Sequence, residues 1–166
     1  MSLDKDVRLL MDRAAISDLL FTFARCLDEK DFEGYAALFA EDGILVLPRA
    51  THRGRAGLAA FVRQDLGRYH GTHHLSANHQ ITVRAEEAVS RSYLQAVHVP
   101  DGSDLTHWWS VGGWYDNTYR REGGDWRFTC VRVSPVWRGG TASPAPPPHA
   151  PLDPGEARPT EPGREP

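Results

Sequence analysis

The sequence predicts an α+β fold, a curved antiparallel sheet with N-terminal helices packed on its concave face. Three observations predict it: helical apolar spacing is confined to the part before residue 70, four long β-rich segments fill the part after it, and short turn signals separate those segments. Consecutive strands with short connections pair antiparallel, and helices gathered at one end of the sequence must cover one face of their sheet. A curved sheet closed on one side leaves a cone-shaped pocket, the usual place for a small ligand.

Each element has its own signal. From Asp12 onward Ile16, Leu19, Leu20, Phe23 and Leu27 recur at spacings of three and four, the stripe of an amphipathic helix that ends near Asp28. A second short helix fits Phe32 to Phe39, capped by Asp31, with Tyr35, Leu38 and Phe39 on its inner side. Glu41-Asp42-Gly43 reads as a turn, and the β-rich run Ile44 to Leu47 is stopped by Pro48. Gly54 to Gly57 leads into a third helical pattern, Leu58, Phe61, Val62 and Leu66. The strands are His73 to Val83, Ala88 to Val99, His107 to Arg120 and Trp126 to Trp137, rich in β-branched and aromatic residues. Gly112-Gly113, inside the third of these, has no helix after it to make a dinucleotide loop and marks a bulge or bend.

Composition bounds the function. The 166 residues support one domain, placed at 1–138. Nine of the twelve prolines fall between Pro144 and Pro166, where Leu152 is the lone large aliphatic residue, so 139–166 reads as an extended tail. A formal charge of −3 and a pI near 6.2 advertise no surface for nucleic acid or anionic lipid. No run approaches the ~20 apolar residues that span a bilayer, and MSLDKDVRLLMDR carries acidic residues where a signal peptide needs apolar ones. The expectation is a soluble, cytoplasmic protein with no membrane partner. Cys26 and Cys130 lack the spacing of a zinc or redox motif and are read as small buried hydrophobes.

Five of the eight histidines lie between His70 and His98, four of them in GRYHGTHHLSANH. On an extended strand Thr72, His74, Ser76, Asn78 and Gln80 point one way, and His73, Leu75, Ala77, Ile81 and Val83 mostly the other. The polar face either meets solvent or lines a wet pocket. Asp28, at the end of a helix with an otherwise dry inner face, is a partner for one of these histidines. A carboxylate that accepts the Nδ1 proton of an imidazole fixes its tautomer and leaves Nε2 as a base at neutral pH. The alternative is that Asp28 merely ends its helix in solvent. The histidines form neither an H-E-x-x-H helix nor an H-x-H strand pair, so no metal is expected, and no G-x-S-x-G elbow points to a serine nucleophile. Tyr115 and Trp114 sit on alternate faces of one strand, and a tyrosine hydroxyl on the concave one would hold a carbonyl or enolate oxygen.

Four segments, L-D-E-K-D-F (27–32), T-H-H-L-S-A-N (72–78), S-Y-L-Q-A-V-H (92–98) and Y-R-R-E-G-G-D-W-R-F (119–128) with V-W-R (136–138), come in the order and spacing of a known family. From about Asp12 to Trp137 the chain resembles the SnoaL-like branch of the superfamily that includes nuclear transport factor two, ketosteroid isomerase and scytalone dehydratase. The resemblance implies a cone-shaped, cystatin-like α+β barrel. It assigns catalytic roles to Asp28, His74 and His98; Tyr115, Phe23, His73, Asn78 and Trp114 are expected beside them as substrate contacts. Leu27 and Pro48 stand where the dehydratase has its pocket tyrosines, and Tyr115 where it has an asparagine, which argues against the dehydratase's own substrate. The expectation is a general acid/base enzyme of dehydratase, isomerase or cyclase type, without cofactor, acting on a small carbonyl-bearing, polyketide-like molecule. It would assemble as a homodimer or homotrimer through the outer sheet face. The alternative is a protein that uses the same pocket to bind a small molecule or a partner without catalysis.

Overall fold

The computed structural model describes residues 3–141. Helix α1 (Leu3–Asp28) is followed by α2 (Phe32–Ala37), β1 (Phe39–Leu47), β2 (Ala50–Arg53), α3 (Leu58–Leu66), β3 (Gly71–Arg84), β4 (Glu87–Val99), β5 (Trp109–Glu122) and β6 (Asp125–Gly140). The strands form one six-stranded sheet in the order β2-β1-β6-β5-β4-β3, curved and unclosed. Because the sheet is open, β3 is an edge strand with one row of backbone groups lacking a neighbouring strand.

The inner face carries the core. Along β4, Ala88, Ser90, Ser92, Leu94, Ala96 and His98 are buried while Glu87, Val89, Arg91, Tyr93 and Gln95 are exposed, a strict period of two. Ile16, Leu20, Phe23 and Leu27 of α1 pack on this face. The centre is aromatic: Phe128 is fully buried, with ring centroids 5.6 Å from Phe23, 5.3 Å from Phe39 and 5.0 Å from Tyr119. Such pairs add ~0.5–1.5 kcal/mol each beyond the burial of their area. The middle of α1 is tied down by charge, since Asp12 accepts hydrogen bonds from Arg121 (2.5 Å) and from the Trp126 indole (3.4 Å).

Several expectations are corrected. Helix α1 starts at Leu3, a full nine residues before Asp12; Leu3, Leu10 and Met11 are exposed, so its first turns gain from Asp4 and Asp6 at the positive end of the helix dipole rather than from core burial. The second helix stops at Ala37, capped by Asp31 as expected, and Phe39 already opens β1. Glu41-Asp42-Gly43 is an irregularity inside β1 rather than a turn between elements. The short edge strand β2 was not foreseen. The sheet is not wholly antiparallel, because β1 pairs parallel to β6, with Leu45 opposite Val131. Strand β6 runs to Gly140, past the boundary placed at residue 138, and the proline-rich segment 142–166 lies outside the described residues. Cys26 is buried and Cys130 half-buried, and both are free thiols.

The Gly112-Gly113 pair does mark a register shift between β5 and β6. Its cause is close approach: a Cβ on Gly112 would lie 2.1 Å from the Trp137 ring, and one on Gly113 2.1 Å from the Ser134 carbonyl oxygen. On the outer face Leu75, Tyr93, Val136 and Trp137 are exposed apolar side chains flanking Trp114. No helix of the described residues is long and apolar enough to cross a membrane.

Candidate active site

The site is built where α1 ends. After Asp28 the chain turns through Lys30, which adopts a left-handed φ of 60°, and the Asp31 amide returns to the Cys26 carbonyl (2.9 Å). The Lys30 ammonium then donates to the carbonyl of Tyr69 and to that of His70 (3.3 Å), pinning the helix end to the segment that enters β3. This clamp brings Asp28 against the open edge of β3. One carboxylate oxygen, Oδ2, accepts the His74 backbone N–H at 2.8 Å, a donor facing away from β4 with no strand to take it. The other, Oδ1, accepts the Thr72 hydroxyl at 2.9 Å and the His74 ring at 2.7 Å through Nδ1.

An ionised carboxylate only accepts, so Nδ1 carries the proton and Nε2 is left with its lone pair. The side chains of His74 and Asp28 are 7% and 22% exposed, buried enough for the contact to hold and open enough for a ligand to reach it. Burial alone would raise the Asp28 carboxyl, but the hydrogen bonds it accepts from the His74 ring, the His74 backbone and the Thr72 hydroxyl help to leave it below its ordinary value.

His74 opens into a cavity of about 140 Å³, a volume of the order that holds one small ring. Its walls are mainly apolar: Phe23, Leu45, Phe61, Leu94 and Val111 come from α1, α3 and three strands. His98, on β4, is 4% exposed and stacks parallel on Trp109 with ring centroids 3.9 Å apart and planes at 4°. Its ring meets His74 edge-on at 5.7 Å, and its buried Nδ1 has no hydrogen-bond partner among the described residues. Burial, the nearby His74 and the guanidinium groups of Arg68 and Arg138 push it down to about 3, against the opposing pull of Asp28. It is therefore a neutral imidazole at physiological pH, suited to hydrogen bonding rather than to holding charge.

Of the residues singled out in the sequence, Asp28 and His74 meet directly, and His98, Phe23 and Tyr115 join His74 in the cavity wall. Leu27 and Pro48 also line it. Three others do not reach it. His73 is exposed, because strand alternation sends it to the face opposite His74. Trp114 lies on the outer face beside Tyr93 and Trp137, since its neighbour Tyr115 takes the inward position. Asn78 is exposed at a β-bulge with a φ of 54°, where Asn78 and His79 together oppose Ser92. The bulge inverts the pleat, so His79, Ile81 and Val83 turn inward toward α1 where the alternation of the first half would have sent Gln80 and Thr82. Sequence reasoning missed Trp109, Asp65 and Arg138 as cavity residues; Tyr35 was placed on the inner side of its helix without a role. Among the described residues no cluster of three or more His, Cys, Asp or Glu could hold a metal ion.

Solved structures share this architecture. A candidate scytalone dehydratase from Novosphingobium aromaticivorans DSM 12444 is 26% identical, with a TM-score of 0.72 over 82% of this chain and 91% of that one. An NTF2-like protein with a cystatin-like fold from Novosphingobium aromaticivorans is also 26% identical, with a TM-score of 0.63 over 78% and 85% of the two chains. A type 2 hexachlorocyclohexane dehydrochlorinase, LinA, shares the fold at 22% identity, with a TM-score of 0.73 over 90% of this chain and 99% of its own. No curated protein matches the sequence. The profile of the SnoaL-like domain matches residues 8–132, three quarters of the chain with both Asp28 and His74 inside it, and the chain belongs to that family.

Proposed function

We propose that the protein is a general acid/base enzyme of lyase or isomerase type in which His74, oriented by Asp28, removes a proton next to a carbonyl group. The observation that carries this reading is the 2.7 Å contact between the Asp28 carboxylate and Nδ1 of His74 at the wall of a mainly apolar cavity. The contact leaves Nε2 as the basic nitrogen, and the dry wall excludes the water that would compete for it. When the proton moves to Nε2 the imidazolium is stabilised by the adjacent carboxylate. Neutral His98, with Nδ1 unpartnered, is placed to hydrogen-bond the substrate or a departing hydroxyl group. Membership of the SnoaL-like family and the likeness to a candidate dehydratase support elimination or isomerisation as the reaction class. The apolar walls favour a small cyclic or polyketide-like molecule with few polar groups. The exposed apolar outer face of the sheet supports association of copies of this chain into a homodimer or homotrimer. The reading needs no cofactor and places the enzyme in the cytoplasm.

The test is proton exchange. The full-length protein is incubated in heavy water with a panel of cyclic and aryl ketones and β-hydroxy ketones, and loss of the α-proton signal is followed by NMR. Exchange or loss of water well above the buffer rate, abolished in His74→Ala, is the expected result. Ligands that bind without exchange or elimination would make the protein a binding module that reuses an enzyme's cavity.

A further inference from the structure

Helix α1 carries two apolar stripes, and the core uses one of them. Ile16, Leu19, Leu20, Phe23 and Leu27 are buried in the core. The other stripe, Leu3, Val7, Leu10, Ala14, Ser17 and Phe21, advances by alternate steps of four and three, and none of its members is buried. Leu3 is 77% exposed, Leu10 63% and Phe21 56%. A repeat of about 3.5 residues is the period with which one helix presents a continuous seam to a second helix. In heptad terms Val7, Ala14 and Phe21 stand at position a, and Leu3, Leu10 and Ser17 at position d. A β-branched residue at a with leucine at d favours two parallel strands.

The charges beside the seam point to its partner. Among the described residues the ion pairs of α1 use Asp12, Arg25 and Asp28, which leaves exposed Arg13, at position g, and exposed Asp18, at position e, without one. Five residues apart, these two lie on different sides of their own helix and do not pair with each other. That spacing is the g-to-e′ interval across a parallel pair, where Arg13 of each copy meets Asp18 of the other. An antiparallel pair overlapped along the same stripe would set Asp4 against Asp18, two like charges. The mixed signs along the helix, Asp4, Asp6 and Asp18 with Arg8, Arg13 and Arg25, differ from the Lys/Arg-rich flank of a helix that lies on anionic lipid.

We propose that the outward stripe of α1 pairs in parallel with the same stripe of a second copy of this chain, at an interface separate from the outer sheet face and independent of the chemistry in the cavity. The seam is short. The core already holds the helix from Ile16 to Leu27, however, so pairing does not bear the cost of nucleating it. The buried stripe lies on the opposite side of the helix from the seam, which leaves the two domains on opposite flanks of the paired helices.

Cysteine cross-linking of the full-length protein tests the contact, in a Cys130→Ala background so that the half-buried native thiol takes no part. Under mild oxidation at micromolar concentration Leu10→Cys should form a disulfide-linked dimer, because two d positions face each other in a parallel pair. Leu9→Cys, one position round the helix, should not. The Leu10→Cys link should survive Tyr93→Glu, which charges the outer sheet face, so the two interfaces fail separately. Sedimentation of cysteine-unaltered protein carrying Tyr93→Glu then reads the charges: Arg13→Glu should weaken association roughly tenfold, since it sets two carboxylates together twice, and adding Asp18→Arg should restore it. Both positions are exposed, so the unfolding temperature of a dilute sample should not move. Equal cross-linking at Leu9→Cys, a Leu10→Cys link that forms only when the protein is mixed with Ala14→Cys, or a charge reversal without effect would each overturn the parallel pair. So would a stripe that binds phosphatidylserine vesicles while the protein shows no self-association through α1.

Discussion

Turnover on the ketone panel should fall ~100-fold to 10,000-fold in His74→Ala, the loss typical of a positioned base, while affinity for cavity ligands changes little. Asp28→Asn should cause a loss of similar size for a different reason. The carboxylate accepts three donors at once, from the Thr72 hydroxyl, the His74 amide and the His74 ring. An amide of the same shape accepts on one atom and donates on the other, so the ring is free to take the tautomer with the proton on Nε2, which is no base at all. The double variant should be no slower than the slower single variant, because both changes disable one unit. Exchange rates for the four proteins, read beside ligand affinities, settle the matter. Multiplying losses would show that the two residues act separately.

The second large effect is on stability below neutral pH. His98 is buried against Trp109 and held neutral, lowered to about 3 by burial and by the positive charges around it, while an unfolded histidine titrates near 6.5. A folded value below the unfolded one means that the unfolded chain takes up the proton first. The stabilisation from neutral His98 is therefore complete above about pH 6.5 and drains away as pH falls toward 3, with a slope of roughly 1.4 kcal/mol per pH unit for the one proton. Asp28 is also lowered, but its contribution is lost only in the more acidic range below the ordinary carboxylate value, so the two windows can be told apart. Urea unfolding midpoints at half-unit steps from pH 7.5 to 4 would show the slope. In His98→Phe, which keeps a ring against Trp109 and cannot titrate, most of it should vanish. Half-buried His79, lowered chiefly by its burial, supplies a smaller remainder. A variant with the full wild-type slope would place the titrating group elsewhere.

The parts of the fold legible in the sequence are those whose signal is local. The Ile16-to-Leu27 stripe marks the buried length of α1, the Asp31 cap is recorded in its bond to the Gly34 amide (2.8 Å), and the turn separators divide four strands correctly to within a few residues. The parallel seam of β1 with β6 is not legible, because its partners lie more than eighty residues apart and nothing in Leu45 or Val131 specifies strand direction. The site divides the same way. Asp28 and His74 stand out as a helix-end carboxylate and a strand histidine on one predicted polar face. His73 and Trp114 fail as pocket residues because adjacent strand positions cannot both face inward, and Asn78 fails because one bulge reverses the pleat after Ala77. Asn is among the few side chains that accept the left-handed backbone such a bulge requires, a signal present in the sequence but shared with every turn. Tyr35 carried no signal beyond its helix face, since a cavity wall becomes visible only when the elements opposite it are in place.

The claim at the centre of this account is that Asp28 fixes the tautomer of His74, and nitrogen NMR reads that tautomer directly. The protein is labelled with ¹⁵N-histidine, and His74 is assigned by the signals lost in His74→Ala. At neutral pH the His74 ring should show a protonated Nδ1 in a strong hydrogen bond and a bare, basic Nε2, and Asp28→Asn should scramble or reverse that pattern. A His74 whose proton sits on Nε2 in the wild type, or whose nitrogens average as a free imidazole does, would contradict it.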